Sequence, residues 1–259
     1  MLILLPPSEG KSAPTRGKPL DLAHLSFGEL TRTRERVLEA LVELCSGDPA
    51  PAARVLGLGA TQIDLVARNA DLRTAPTARA DRIYTGVVYD AIDFATLDAA
   101  ARRRATSRVA VVSSLFGLVR PGDRIPSYRL SGDTTLPGLG PVAAAWRTPT
   151  EQAVLPVLGS GLLVDLRSGT YANFWKPPAT IAAKVASVRV LHEVDGVRKV
   201  VSHFNKATKG RIVRDLLVSG AAPRTVPAFA GVLRDLGWSV EVGEPGSKGT
   251  QLDVVVADL

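Results

Sequence analysis

The sequence predicts an α/β (α+β) fold, one domain over residues 1–259 with a mixed β-sheet flanked by helices. Three observations predict it. Short apolar runs ("LILL", "RVAVVSS", "LLVDL") alternate with stretches of helical periodicity. A turn signal, Asp195-Gly196, joins two β-rich segments late in the chain. No internal repeat, low-complexity block or linker interrupts the 259 residues, of which 46% are hydrophobic, enough for a sizeable core.

The elements follow in order. "LILL" (2–5) reads as a buried strand leading into a Pro/Gly/Lys-rich loop that lasts to about residue 20. Helical periodicity runs from Phe27 to Cys45, with Ser26 and Glu29 spaced as a capping box. A second helix covers Ala60 to Asn69, and "RIYTG" (82–86) has the look of a strand end. "FATLDAAARRRA" (94–105) is a helix whose Arg102, Arg103 and Arg104 suit the negative end of its dipole. "RVAVVSS" (108–114) is a buried strand, "VAAAWRTPTEQAVLPVLG" (142–159) a helix with a break expected near Pro149, and "LLVDL" (162–166) a buried strand. "AKVASVRVLHEV" (183–194) and "RKVVSHF" (198–204) are the arms of the hairpin. Helices over Lys206–Val218 and Val226–Leu236 follow, then the strands "WSVEV" (238–242) and "LDVVVA" (252–257).

Composition narrows the function classes. With one cysteine there is no intrachain disulfide, and Cys45 lies on the apolar side of its helix, as a buried structural thiol does. His24, His192 and His203 are scattered, with no metal-ligand spacing, and the two in β patterns read as structural; neither a metal nor another cofactor is expected. No apolar run reaches the ~18 residues of a membrane span, and "MLILLPP" has no basic segment before it, so a cytoplasmic protein with no membrane partner is expected. The formal net charge of +7 favours a polyanionic partner or a phosphorylated substrate.

"LPPSEGKS" (5–12) invites a P-loop reading, which fails. Gly10, Lys11 and Ser12 fit, but Leu5 stands where the first glycine belongs, and Pro6 and Pro7 remove two N–H donors. Pro14 opposes the helix that should start at Ala13. What remains is Ser8, Glu9 and Lys11 at the C-terminal end of a buried strand, where open α/β sheets place ligands. Three other segments carry chemistry. "SSLFGLVRPGDRIPSYRLSGD" (113–133) holds Phe116, Arg120, Asp123, Arg124, Tyr128 and Arg129. "SGTYANFWKP" (168–177) offers Tyr171, Asn173, Phe174, Trp175 and Lys176. In "SHFNKATKGR" (202–211), Lys206 and Lys209 share one helical face near the helix start.

Five stretches, "MLILLPPSEGK", "YTGVVYDAID", "SSLFGLVRPGDRIPSYRL", "LVDLRSGTYANFWKP" and "VVSHFNKATKGRIVRDLL", resemble, in that order, the YaaA family of peroxide stress proteins, also grouped as UPF0246 or DUF328. The resemblance spans Met1 to about Leu217 and is most specific over Phe116–Leu130. It implies a single cytoplasmic domain with a positively charged cleft, and DNA binding that limits oxidative damage during peroxide stress. The matched charged or polar positions are Lys11, Tyr84, Arg120, Asp123, Tyr128, Arg129, Lys206 and Lys209. The chain departs from the pattern at "PPSEGK", at Ser131-Gly132 and at "NKATKG".

"LPGLGPVAAAW" (136–146), within residues 133–159, matches the hairpin and second helix of a helix-hairpin-helix, with Gly138 and Gly140 freeing N–H groups for a phosphate. "SGDTT" before it is a poor first helix, and an ordinary Pro-Gly turn explains the same residues. Two functions follow. The first is non-specific binding of DNA phosphates through Lys11, Arg120, Arg124, Tyr128, Arg129, Gly138, Gly140, Lys176, Lys206 and Lys209. The alternative is an enzyme for a small anionic, nucleotide- or nucleobase-like substrate, with Lys11 and Lys206 as base or nucleophile, Glu9 as their acid/base partner and Tyr84 beside them. Phe116, Tyr128 or Trp175 would stack on its base. A binding module without turnover is the plainer third reading.

Overall fold

The computed structural model describes residues 1–194 and 196–256. Its strands are β1 (Leu2–Leu5), β2 (Ala78–Arg79), β3 (Val109–Ser113), β4 (Gly117–Val119), β5 (Arg124–Ile125), β6 (Thr135–Leu136), β7 (Gly140–Pro141), β8 (Leu163–Asp165), β9 (Val185–Val194), β10 (Val197–Lys199), β11 (Ser239–Gly246) and β12 (Gly249–Val256). Its helices are α1 (Thr31–Ser46), α2 (Pro49–Val55), α3 (Asp64–Ala70), α4 (Ala80–Ile83), α5 (Val87–Ile92), α6 (Ala99–Arg108), α7 (Val142–Leu158), α8 (Gly169–Ala172), α9 (Ser202–Ser219) and α10 (Val226–Asp235).

The main sheet runs β11-β12-β9-β8-β1-β3-β4, with β10 added to β9. β3, β1, β8, β9 and β12 are parallel, while β4, β10 and β11 pair antiparallel. The expected mixed sheet flanked by helices is therefore present. Every residue of β1 and β3 is buried, which is why both read as unbroken apolar runs. Ile3 pairs with Val109 on one side and Val164 on the other.

The strand order has a consequence for function. From β1 the chain moves to β3 on one side; from β8 it moves to β9 on the other. The loops leaving the C-terminal ends of β1 and β8 thus part in opposite directions, the arrangement that opens a ligand crevice in α/β sheets. One group of helices, α1, α3 and α7, packs together with α7 against β4; another, α5, α6 and α9, packs against β3 and β9. The fully buried Arg34 ties α1 to the sheet edge, donating from Nε to Phe116 O (3.0 Å) and from Nη2 to Ser26 O (2.6 Å) and Leu118 O (2.8 Å).

Several expectations are corrected by long-range contacts. The Ser26/Glu29 capping box does not form. Ser26 instead gives its hydroxyl (2.8 Å) and its N–H (3.1 Å) to Asp123 Oδ1, a charged acceptor that outcompetes a helix cap, and α1 starts only after a 3-10 turn at Gly28–Leu30. Residues 82–86 are not a strand: α4 occupies Ala80–Ile83, and Tyr84 makes only an isolated bridge to Lys11. The helix expected over 94–105 begins after Asp98, whose carboxylate accepts from Ala101 N (2.6 Å). Arg102–Arg104 therefore sit in mid-helix, and Arg104 caps the end of a different helix, donating to Leu217 O (2.7 Å) and Val218 O (3.2 Å) of α9. α7 passes through Pro149 unbroken, held by the buried face of Val142, Trp146, Thr150 and Val154. The second hairpin arm stops at Lys199 and the chain is helical from Ser202, so 198–204 is strand only in part. Asp195, the side chain of His203, and Ala257 of the last predicted strand lie outside the described residues.

Gly210 on α9 marks a close helix contact: a Cβ there would meet Val88 O of α5 at 2.4 Å and Ala91 Cβ at 2.6 Å. Gly210→Ala is expected to lower the unfolding free energy by about 1–3 kcal/mol in urea titration. An unchanged midpoint would show that the two helices are not pressed together.

Candidate functional site

The site is built on the loop that leaves β1. Pro6 O accepts from Tyr89 OH (2.7 Å), Ser8 Oγ donates to Gly10 O (2.6 Å) and accepts from Thr85 N (3.0 Å), and Ser12 N donates to Ile83 O (2.9 Å). These contacts fold the loop back over α4 and bring Lys11 inward. Its Nζ donates to Ser8 O (2.7 Å) and lies 4.2 Å from the centre of the Tyr128 ring and 5.7 Å from that of Tyr84. The residue is partly exposed, but its ammonium sits beneath the loop. Burial lowers its pKa to about 7; the Glu9 carboxylate opposes the shift and Arg129 adds to it.

Below the lysine is a set of buried phenols. Tyr128 OH shares hydrogen bonds with Ser113 Oγ (2.7 Å) and Tyr84 OH (3.1 Å), and Ser113 Oγ accepts from Phe116 N (3.0 Å). Ser113 is the last residue of β3, so the network is anchored at a second strand end. Burial raises the pKa of Tyr128 to about 12 and pushes Tyr84, Tyr89 and Tyr171 up as well. At neutral pH these groups are protonated hydrogen-bonding partners.

Above the lysine is an ion pair. Arg129 Nη1 donates to Glu9 Oε2 (2.5 Å), and Tyr171 OH donates to Glu9 Oε1 (3.5 Å). The arginine side is fixed through its main chain: Asn69 donates to Arg129 O (2.7 Å) and accepts from Arg129 N (2.9 Å). Arg129 Nε is buried without a partner. The carboxylate side is loose, since the Glu9 side chain is 52% exposed against 18% for Arg129. At the third strand end, Asp165 binds Arg167 through both oxygens (2.8 and 2.6 Å). Arg167 in turn donates to Trp175 O (2.9 Å), which positions the α8 turn bearing Tyr171. Lys209 reaches the same edge from α9, donating to Leu166 O (3.3 Å); burial lowers its pKa and Asp165 opposes the shift.

The structure thus brings Glu9, Lys11, Tyr84, Tyr128 and Arg129 together across the C-terminal ends of β8, β1 and β3, with Lys209 at the end of β8. Other sequence candidates lie elsewhere. Arg120 donates to Ser107 O (2.7 Å) and Val109 O (3.3 Å) and stacks 4.8 Å from the Phe27 ring. Arg124 donates to Thr77 O (2.7 Å). Lys176 is exposed and lines a separate cavity with Arg147, Glu151 and Trp175. Lys206 is exposed and makes no hydrogen bond or ion pair with the described residues. Gly138 and Gly140, both at positive φ, shape a β6–β7 hairpin that enters α7; no helix precedes it. Phe116, Tyr128 and Trp175 are buried in the core, with no face open to a nucleobase. Among the described residues no cluster of three or more His, Cys, Asp or Glu could hold a metal, and no helix is long and apolar enough to cross a membrane. Sequence reasoning missed Ser113, Asn69 and the structural importance of Tyr171; only Ser113, ending a buried strand, carried a signal.

Residues 1–232 match the family model described as peroxide stress protein YaaA. A UPF0246 protein of Streptomyces coelicolor is 53% identical over 261 aligned residues, covering 100% of both chains. The chain belongs to the YaaA family of peroxide stress proteins. A UPF0246 protein of Corynebacterium efficiens is 44% identical over 98% of this chain and 100% of its own, and one of Corynebacterium glutamicum is 40% identical over the same shares. For this YaaA-family chain, membership agrees with a role in peroxide stress.

The lowered lysine predicts a stability signature. Between pH about 7 and the ordinary lysine range, the unfolded chain carries a proton at Lys11 that the folded chain lacks. Stability contributed by this group therefore rises with pH across that window. Lys11→Met removes the amine and keeps the stem, so its urea-derived stability should vary less between pH 7 and 10 than the parent's. Parallel profiles would contradict the lowered pKa.

Proposed function

We propose that the chain is an enzyme acting on a small anionic substrate at the C-terminal ends of β1, β3 and β8, with Lys11 as the base or nucleophile. The observation that carries this reading is the burial of Lys11 Nζ over the Tyr128 ring beside a loosely held Glu9 carboxylate. An amine with a pKa of about 7 is in good part unprotonated near neutral pH, as proton abstraction or attack on a carbonyl requires. Arg129 and Tyr171 now hold the carboxylate of Glu9. A substrate carboxylate or phosphate would take its place on the same donors, placing the rest of the molecule against Lys11 and freeing Glu9 for proton transfer. The buried aromatics argue for a small anion without a stacked base.

Reductive trapping tests both halves of this reading. Pyruvate offers a carboxylate for Arg129 and a ketone for Lys11: the amine adds to the carbonyl, water leaves, and borohydride reduces the imine to a stable secondary amine. At neutral pH, peptide mass spectrometry is expected to find the adduct on Lys11 ahead of the exposed lysines. Arg129→Ala should slow labelling about tenfold, the value of one charged hydrogen bond. Labelling spread evenly over surface lysines would contradict the proposal.

Non-specific DNA binding is the second reading. The net charge of +7 and the exposed Lys206 near the start of α9, which has no partner among the described residues, support it. Arg120 and Arg124 are tied to backbone carbonyls, which weakens them as backbone-contacting cations. If Lys206 touches phosphate, Lys206→Ala will lower the slope of log affinity against log salt by about one unit. An identical slope removes Lys206 from the interface.

A further inference from the structure

We propose that a second site, an arginine-walled cavity on the α4–α6 side of the molecule, binds a small molecule carrying two or more adjacent phosphates. The cavity has a volume of about 590 Å³, within the range that holds small-molecule ligands. Arg79, Arg82, Arg102 and Arg103 line it, against one carboxylate, Asp81. Arg79 and Asp81 neutralise each other in a two-pronged pair (2.6 and 3.1 Å). Arg102 is steered by one hydrogen bond to Ala95 O (2.6 Å), leaving its other N–H groups unused. Arg82 and Arg103 are exposed and make no hydrogen bond or ion pair with the described residues. The cavity wall therefore carries three guanidinium charges in no ion pair with the described residues, although the Asp98 carboxylate, its pKa lowered first by the Ala101 N–H, is also lowered by Arg103. They come from two segments about twenty residues apart in sequence, so their convergence is a product of the fold and not of one charged run.

The surroundings favour an anion. Thr106 and Ser107 line the cavity at the C-terminal end of α6, where free carbonyls would repel negative charge. Arg120 reaches across to bind Ser107 O and Val109 O, which masks that end. The frame is rigid on the other wall too, where Ala80 N donates to Asp123 O (2.7 Å) and Asp81 N to Pro121 O (3.1 Å). Guanidinium forks match phosphate oxygens in pairs, and three of them on one concave wall suit a chain of phosphates on one small molecule. The charges converge in a hollow, so a small molecule and not a duplex is the expected occupant. This site is separate from the Lys11 cluster, although α4 leads from one to the other: Arg82 lines the cavity, and Tyr84 lies beside Lys11.

Isothermal titration of the full chain with tripolyphosphate and with ATP, at ionic strength about 0.15 M, tests the proposal. Micromolar binding is expected. Arg82→Ala/Arg103→Ala should weaken it about a hundredfold, about tenfold for each guanidinium, with the thermal melt little changed because both side chains are exposed and make no hydrogen bond or ion pair with the described residues. Lys11→Met should bind as the parent does. Tighter binding of ATP than of tripolyphosphate supports the site and adds recognition of the nucleoside; equal binding supports it as a phosphate-chain site alone. The proposal is overturned if neither probe binds below the millimolar range or if the double variant binds undiminished. It is equally overturned if the cavity arginines are needed for duplex DNA and not for tripolyphosphate.

Discussion

An amine removed from water is the constraint around which this fold is arranged. Lys11 leaves the end of β1, turns inward and places its ammonium over the ring of Tyr128, with the carbonyls of Ser8 (2.7 Å) and Glu9 (3.4 Å) replacing part of its hydration. Keeping a charge there is unfavourable, so the group shifts towards its neutral form. The loop tolerates this because Tyr89 and Ile83 pin its backbone and Thr85 pins the Ser8 hydroxyl, none of the three belonging to the loop itself. A solvated loop lysine would need none of these contacts.

The sheet topology supplies the rest. Because the chain winds to β3 on one side of β1 and to β9 beyond β8 on the other, three strand ends deliver their loops to one edge without crowding it. β3 delivers Ser113 and the return segment with Tyr128 and Arg129; β8 delivers Asp165, Arg167 and the turn with Tyr171. The phenols stay protonated, the backbone of Arg129 is held by Asn69, and Glu9 is loosely packed. In the proposed reading this is a receptor whose internal carboxylate gives way to an external one.

Much of the frame was legible in the sequence, for a physical reason. β1, β3 and β8 are covered on both faces, so they appear as continuous apolar runs, and Lys11 drew notice because it follows such a run. Tyr128 and Arg129 stood out through the dense segment after β3 and its family resemblance. What sequence could not show is where long side chains end. Arg124 meets Thr77 O across 47 residues, Asn69 meets Arg129 across 60, and Ser26 meets Asp123 across 97. A guanidinium bound to a backbone carbonyl looks, in sequence, the same as one facing a ligand. Short elements were lost for a different reason: α2 and α5 span less than two full helical turns, too short for periodicity to emerge. The arginine cavity escaped notice because Arg79 and Arg82 are remote in sequence from Arg102 and Arg103.

The central claim is that the fold lowers the pKa of Lys11 to about 7. A heteronuclear magnetic resonance titration of the Lys11 Nζ group, assigned by comparison with Lys11→Met, measures this directly. The account predicts a midpoint of about 7, well separated from those of the exposed lysines. A Lys11 midpoint coinciding with the surface lysines, near ~10.4, would contradict it.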